Sequence, residues 1–137
     1  MIVDSSVWVD YLSKRPGVAA HALRSYLATG GAVYLTPVIV QEVLQGARDV
    51  AHLASLSRTL AIFPLCHPAD ARASALEAGT LYARCRWQGV TIRSPHDCLI
   101  AVTAIEARLP VMTLDRDFIF LRSLDARLQL VDSQMQH

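Results

Sequence analysis

The chain has 137 residues, of which 53% are hydrophobic and 18% are charged, so it can form one packed domain over residues 1–137 and is not a disordered chain. The formal net charge of +1 excludes a polycation that coats nucleic acid, so any contact with a polyanion must be local. The apolar runs are too short to span a bilayer and the start lacks a basic and a hydrophobic leader region, so we expect a cytoplasmic protein without membrane contact.

The cysteines and the basic residues limit the kinds of site that the chain can contain. Cys66, Cys85 and Cys98 are odd in number, far apart and without a CxxC spacing, so we expect small core residues rather than disulfides or a zinc site. Lys14 is the only lysine among the thirteen lysines and arginines. Arginine suits bidentate contact with phosphate, although genome composition also explains an arginine-rich chain.

Short apolar runs alternate along the chain with segments of helical periodicity. In chain order, the pattern predicts a strand at 1–3, helices at 5–12 and 18–28, a strand at 33–35, helices at 37–44 and 49–59, a strand at 61–63, helices at 68–88 and 94–105, a strand at 111–112, a helix at 115–121 and a strand at 128–131. The predicted N-caps are Ser5 or Ser6, Thr36 and Ser94, the last two followed by proline.

This alternation of strands and helices predicts an α/β fold. We expect three layers, α/β/α, around a central, mainly parallel sheet of about four to five short strands, because parallel neighbours need helical crossovers. Ligands bind such sheets beyond the carboxyl ends of the strands, which is therefore where functional residues are expected.

Five acidic residues fall where this fold would have its chemistry. Asp4 directly follows the first strand, and Asp115 and Asp117 follow the penultimate strand. Asp97 lies in the first turn of a predicted helix, and Glu42 lies inside an otherwise mostly apolar helix. We expect these side chains to meet at one edge of the sheet.

Each of these acids also has a purely structural explanation. Asp4 and Asp115 would serve as N-caps, and Asp117 as a first-turn acid favoured by the helix dipole. Asp97 would complete a capping box begun by the serine three residues earlier, and Glu42 would be a solvated helix residue. Individually the signals are weak, and only their joint convergence indicates a site.

A cluster of carboxylates without lysine partners predicts a metal site. Such groups repel one another and raise each other's pKa. A hard divalent cation relieves the repulsion, and Mg²⁺ or Mn²⁺ accepts these oxygen ligands. The bound ion can activate water and stabilise charge on a phosphate, and the sequence has no Ser/His or Cys/His pairing that offers a different chemistry.

Four segments, at residues 2–12, 36–46, 93–101 and 109–118, together resemble the motifs of PIN-domain nucleases. The first is an apolar strand followed by Asp, a small polar pair and an aromatic helix, and the second is the helix with the second acid. The third resembles the Arg–Asp–Leu-Ile-Ala segment, and the fourth the closing Thr-x-Asp-x-Asp-Phe motif. Within that family the chain resembles the VapC toxins of bacterial toxin–antitoxin pairs, over nearly its whole length.

The resemblance implies a PIN-like fold and a metal-dependent endoribonuclease. It implies catalytic roles for Asp4, Glu42, Asp97 and Asp115. It implies metal contacts from Asp4, Asp97, Asp115 and Asp117, and leaves open whether Asp115 or Asp117 is the direct ligand.

Two further residues have two interpretations each. Thr113 would orient a ligand or a water, or would be an ordinary threonine at a strand end. Arg93, one turn before Asp97, would pair with a substrate phosphate or would hold an acid of the cluster in a structural salt bridge.

The partners that the resemblance implies are RNA, a small VapB-type antitoxin and a second copy of the chain in a homodimer. Trp8, Tyr11, Leu23 and Leu27, on the early helices, offer a surface for the antitoxin helix or for dimerisation, unless they are simply core. A receiver domain is excluded, because the chain lacks an Asp-Asp pair after the first strand and its only lysine is Lys14. A catalytically silent PIN module that acts as an RNA- or protein-binding scaffold is the remaining alternative.

Overall fold

The computed structural model describes residues 1–131, which form seven helices and three short strands. The strands are β1 (Ile2–Val3), β2 (Val111–Met112) and β3 (Leu130–Val131). The helices are α1 (Ser5–Tyr11), α2 (Val18–Ala28), α3 (Pro37–Leu44), α4 (Val50–Leu60), α5 (Ala71–Trp87), α6 (His96–Ala107) and α7 (Asp117–Leu124). Within residues 1–131, no helix has both the length and the apolar character needed to cross a bilayer.

The three strands form one parallel sheet in the order β1-β2-β3. Val3 lies opposite Met112, which in turn lies opposite Val131, so the carboxyl ends of all three strands meet at one edge. The helices pack as two groups, α1 to α4 and α5 to α7, and the predicted α/β fold is confirmed.

The sheet has three strands within the described residues rather than the predicted four to five. The segment 33–35 forms only isolated parallel bridges, one to β1 and one to Leu65. The predicted strand at 61–63 is wrong, because the main-chain N–H groups of Ile62 and Phe63 donate back to the last turn of α4 and continue that turn. After this turn the chain forms a single bridge, from Leu65 to Leu35, and no strand before α5.

Side-chain caps fix where several helices begin. The hydroxyl of Thr36 accepts a hydrogen bond from the Ile39 N–H at 3.3 Å, as predicted for the start of α3. The long helix α5 begins at Ala71 rather than at residue 68, because the Asp70 carboxylate caps it by accepting from the Ala73 N–H at 3.0 Å. The boundaries of α2 agree with the prediction.

The early helices bury the aromatic and leucine residues that were expected on a partner surface. Trp8 and Leu23 are fully buried, and Tyr11 and Leu27 are half-buried against the core. The Trp8 ring packs edge-on against Tyr11, at 5.7 Å between centroids, and lies 5.0 Å from the ring of Phe63. The core interpretation is therefore confirmed for Trp8 and Leu23, whereas a partner contact for the half-buried Tyr11 and Leu27 stays a prediction.

The cysteines agree with the expectation of free thiols. Cys85 and Cys98 are buried, Cys66 is half-buried, and all three are unpaired. Burial is the main cause that raises the pKa of the Cys98 thiol to about 12, so this thiol stays protonated and packs as an apolar group.

Asp10 joins the first two helices and was not singled out from the sequence. Its carboxylate accepts hydrogen bonds from the main-chain N–H groups of Gly17 and Ala20, each at 2.9 Å. The N-cap residue of α2 is Gly17, which has no side chain that could accept hydrogen bonds from the first N–H groups of the helix. Asp10, which lies on α1, accepts these hydrogen bonds instead.

Replacing Asp10 by alanine should lower the free energy of unfolding by about 1–2 kcal/mol, because two main-chain N–H groups lose their acceptor. Equilibrium urea denaturation measures this loss. The matched control is Asp49→Ala, which removes a capping carboxylate with a single N–H partner at the exposed N-cap of α4. A loss for Asp10→Ala no larger than that of the control would contradict the assignment.

Candidate metal centre

The site forms where β1 and β2 end side by side. Asp4 follows β1, and its main-chain N–H donates to the carbonyl of Met112 at 2.9 Å. This bond extends the parallel ladder by one residue and fixes Asp4 next to the segment that follows β2. The first turn of α6 supplies Asp97, and α3 supplies Glu42.

Two hydroxyl groups hold the buried Asp4 carboxylate. Its Oδ2 accepts from Ser6 Oγ at 2.8 Å and from Thr113 Oγ1 at 3.0 Å. The same hydroxyl oxygens accept from the main-chain N–H groups of Leu114, at 3.0 Å, and Asp115, at 2.9 Å. Because each hydroxyl has one proton and its oxygen already accepts from the main chain, both protons are directed at Asp4.

The sequence predicted a side-chain N-cap for α1 from Asp4 or from one of the serines Ser5 and Ser6, and none of these side chains caps the helix. Asp4 occupies the N-cap position of α1, but its side chain makes no capping bond, and Ser5 and Ser6 lie inside the helix. Ser6 is a site residue that the sequence pattern suggested only as a cap. The sequence signal that could have identified Ser6 was its position two residues after Asp4, the acid that follows β1.

Asp97 lies in the interior of the cluster. It is 4% exposed, and its Oδ2 is buried without a hydrogen-bond partner among residues 1–131. Burial first, and then the charges of Asp4 and Asp115, raise the pKa of Asp97 from 3.8 to about 8. The capping-box explanation for Asp97 is wrong, because Pro95 is the N-cap residue of α6 and no side-chain cap bond forms.

Asp115 and Asp117 lie on the outer side of the cluster, against Arg93. The Arg93 Nη2 donates to Asp115 Oδ1 at 3.1 Å, and the Arg93 main-chain N–H donates to Asp117 Oδ2 at 3.0 Å. Asp115 Oδ1 also accepts from the Asp117 N–H at 2.9 Å, at the start of α7. Of the two interpretations of Arg93, the structure contains the salt bridge, and the phosphate contact stays a prediction.

Glu42 joins the cluster through Ser5. The Ser5 Oγ lies 3.4 Å from Glu42 Oε1 and 3.5 Å from Asp4 Oδ1, so one hydroxyl bridges the two carboxylates. Glu42 is half-buried, and burial followed by the charge of Asp4 raises the pKa of its carboxyl group. The structure thus brings together all five acids that the sequence indicated.

These residues fit a hard divalent cation. One carboxylate oxygen each from Asp97, Asp115 and Asp117 lies within 4.8 Å of the other two, and all three are ligand types that Mg²⁺ and Mn²⁺ accept. The buried Asp97 oxygen without a partner is the decisive detail. A buried carboxylate oxygen normally has a donor or a cation, and this one has neither among the described residues.

Comparison with proteins of known sequence gives one family and several named relatives. The family model described as PIN domain matches residues 1–122. VapC ribonuclease Mb1587 of Mycobacterium bovis is 33% identical over 119 residues, which cover 86% of this chain and 88% of that protein. Ribonuclease VapC11 of Mycobacterium tuberculosis has the same identity and coverage.

Solved structures share the fold along nearly the whole chain. FitAcB from Neisseria gonorrhoeae has a TM-score of 0.69 at 19% identity and covers 98% of both chains. VapBC-1 from nontypeable Haemophilus influenzae has a TM-score of 0.72 at 17% identity and covers 96% of both chains. VapBC2 from Rickettsia felis, solved with a DNA fragment from its promoter, has a TM-score of 0.71 at 17% identity and covers 95% of this chain and 96% of that one. At these identities, the likeness shows the fold alone.

Replacing Asp97 by asparagine should stabilise the metal-free protein, and more so at pH 8 than at pH 5. Folding raises the pKa of Asp97 to about 8, so the stability from its protonated form is complete below pH 3.8 and is lost as the pH rises through about 8. Asparagine cannot ionise and avoids this loss. Thermal melts in chelator should show an increase on the order of 5 °C at pH 8.

The control for this measurement is Asp125→Asn, for which the opposite sign is expected. The hydrogen bond from Arg127 lowers the pKa of Asp125, so its ionised form stabilises the folded state above the unfolded pKa. An Asp97→Asn protein that melts no higher than the unmodified chain at pH 8 would show that Asp97 carries no buried charge.

Proposed function

We propose that this chain, which belongs to the PIN-domain family, is an endoribonuclease that cuts RNA with a divalent metal ion and is the toxin of a toxin–antitoxin pair. The observation that carries the proposal is the convergence of Asp97, Asp115 and Asp117 around a buried Asp97 oxygen that lacks a hydrogen-bond partner within residues 1–131. We also propose that residues 1–137 form one such domain.

RNA is the proposed substrate because of the named relatives and the electrostatics of the site. Two relatives that are 33% identical over 86% of this chain are named as ribonucleases. Carboxylates alone would repel an RNA backbone. A divalent ion together with the exposed side chain of Arg93 would make the same site attractive to phosphate.

Each acid has a proposed role in the reaction. Asp97, Asp115 and Asp117 would hold Mg²⁺ or Mn²⁺, with Asp4 beside them, and the ion when bound supplies the positive charge that acidifies a water molecule and stabilises the charge on the phosphate. Asp4 keeps a fixed orientation, because Ser6 and Thr113 both donate to its Oδ2.

Glu42 is the proposed proton-handling group of the cluster. Its pKa is raised by burial and by the charge of Asp4, and its carboxylate remains partly open to solvent. A raised pKa makes a carboxylate a stronger base than an ordinary surface glutamate, which suits it to accept a proton from water. Ser5 lies between Glu42 and Asp4, with its hydroxyl within 3.5 Å of both carboxylates, and can donate its proton to either.

A small VapB-type antitoxin is the proposed partner. The likeness to solved VapBC complexes supports it, and one of these is described as a member of the VapBC family of toxin–antitoxin systems. An apolar groove of about 410 Å³ between α3 and α4 would accept the apolar face of a helix; its lining includes Val40, Leu44, Leu60, Phe63 and Leu65. Homodimerisation stays a prediction.

Cleavage should require both the metal and the buried acids. In a fluorogenic single-stranded RNA assay with Mg²⁺ or Mn²⁺, Asp4→Asn and Asp97→Asn should each lower the rate by roughly 100-fold or more, and EDTA should abolish cutting, because either change removes the metal from its place. Asp49→Asn, at the exposed N-cap of α4, is the matched control and should cut normally. Full activity in EDTA would contradict the proposal, and so would full activity in Asp97→Asn.

The hydroxyl groups around Asp4 should matter for rate rather than for folding. Thr113→Val and Ser6→Ala should each lower cleavage by about 10- to 100-fold, because Asp4 loses one of the donors that fix its orientation. Thr80→Val removes a hydroxyl from the exposed face of α5 and is expected to have no effect on rate. Cleavage equal to that control in both variants would exclude an orienting role.

A further inference from the structure

The counter-charge in the acidic cluster is unevenly distributed. Within residues 1–131, Arg93 is the one basic residue with a side-chain nitrogen within 4 Å of a cluster carboxylate, and it contacts only Asp115 and Asp117. The inner acid Asp97 has no such cation, and its Oδ2 is buried without a hydrogen-bond partner within residues 1–131. The cluster therefore has a basic counter-charge on its outer side and none on its inner side.

Arg93 is anchored on that outer side by its main chain as well as by its side chain. The main-chain N–H donates to Asp117 Oδ2 at 3.0 Å, Nη2 donates to Asp115 Oδ1 at 3.1 Å, and Nε lies 3.8 Å from Asp117 Oδ2. Because the backbone is bound at the same carboxylate, the arginine side chain starts beside this pair of acids. Its side chain is nevertheless 77% exposed, so the remaining N–H groups face solvent.

Each of the two outer carboxylates binds Arg93 through one of its oxygens. Asp115 Oδ1 and Asp117 Oδ2 are the oxygens bonded to Arg93. Asp115 Oδ2 and Asp117 Oδ1 make no hydrogen bond to Arg93, and one oxygen of each residue lies within 4.8 Å of an Asp97 oxygen. The inner side can thus receive a cation while Arg93 keeps the outer side.

We infer that the site binds one divalent ion, and that the Arg93 guanidinium occupies the place that a second ion would take. This inference rests on the proposed metal-dependent function. A second divalent ion on the outer side would have to share Asp115 Oδ1 with the guanidinium, which donates to it at 3.1 Å, and Asp117 Oδ2 with the Arg93 main-chain N–H and with Nε at 3.8 Å. The repulsion between the ion and the guanidinium opposes this binding.

A guanidinium in this position does part of what a second ion would do. It offsets one of the two negative charges of Asp115 and Asp117, and its exposed N–H groups can donate to a phosphate oxygen in the fork geometry that arginine offers. It does not dissociate in chelator or in metal-poor solution, so this positive charge stays in place whatever the metal concentration. Arg93 thus supplies a permanent positive charge on the solvent-exposed outer side of the cluster.

Calorimetric titration of the metal-free protein with Mn²⁺ tests the inference by counting bound ions. The unmodified chain should bind one equivalent, and Arg93→Gln should bind two, because the outer carboxylates are then free to hold a second ion. Arg116→Gln is the matched control, since it removes the same charge between Asp115 and Asp117 from a side chain that makes no ion pair within residues 1–131. It should bind one equivalent.

Two equivalents in the unmodified chain, or one in Arg93→Gln, would overturn the inference. Two equivalents in Arg116→Gln would also overturn the inference. A second ion would then bind after the loss of any positive charge near Asp115 and Asp117, and not because the place of Arg93 had become free. Either result, together with RNA cleavage that still requires metal, leaves the proposed function standing. Absence of Mn²⁺ binding in all three proteins, with cleavage that persists in EDTA, would instead overturn the proposed function and the inference with it.

Discussion

The parallel pairing of β1 with β2 is the constraint on which the site depends. Each strand is only two residues long, so the bond from the Asp4 N–H to the Met112 carbonyl is a large part of what aligns them. Since parallel strands end at the same edge, that alignment brings Asp4 within hydrogen-bond distance of Thr113. The central register therefore determines the geometry of the acids more directly than any contact among the acids themselves.

The same arrangement explains why an energetically unfavourable group persists in the interior. Asp97 is buried near other carboxylates, and the energetic cost is visible in its raised pKa. Fixed hydroxyl donors at Asp4 and a fixed guanidinium at Asp115 reduce the repulsion at the periphery, while Asp97 has neither. A buried group that costs stability in the free protein is a common property of functional sites.

The parts of the fold and of the site that depend on neighbouring residues were predictable from the sequence. The parts that depend on contacts between distant residues were not. Asp4 and Asp115 follow strand-like runs, and Thr36 precedes a proline at the start of α3, so each is visible within a few residues. The strand at 61–63 failed because an apolar run cannot reveal whether it continues a helix turn. The bond from Leu114 to Ser6 was not predictable in the same way, since the two residues are 108 positions apart. For Arg93 the sequence offered a salt bridge as one of two interpretations, but it could not say which acid, 22 residues away, would be the partner.

The spread of the site along the chain also has a consequence for its appearance during translation. Asp4 and Thr113 are 109 residues apart, and the cluster includes Asp115 and Asp117 as well. A nascent chain that has reached only α5 carries Asp4 and Glu42 but no β2 against which to align them. The acidic cluster therefore assembles only after the chain has been synthesised beyond residue 117, and shorter products lack it.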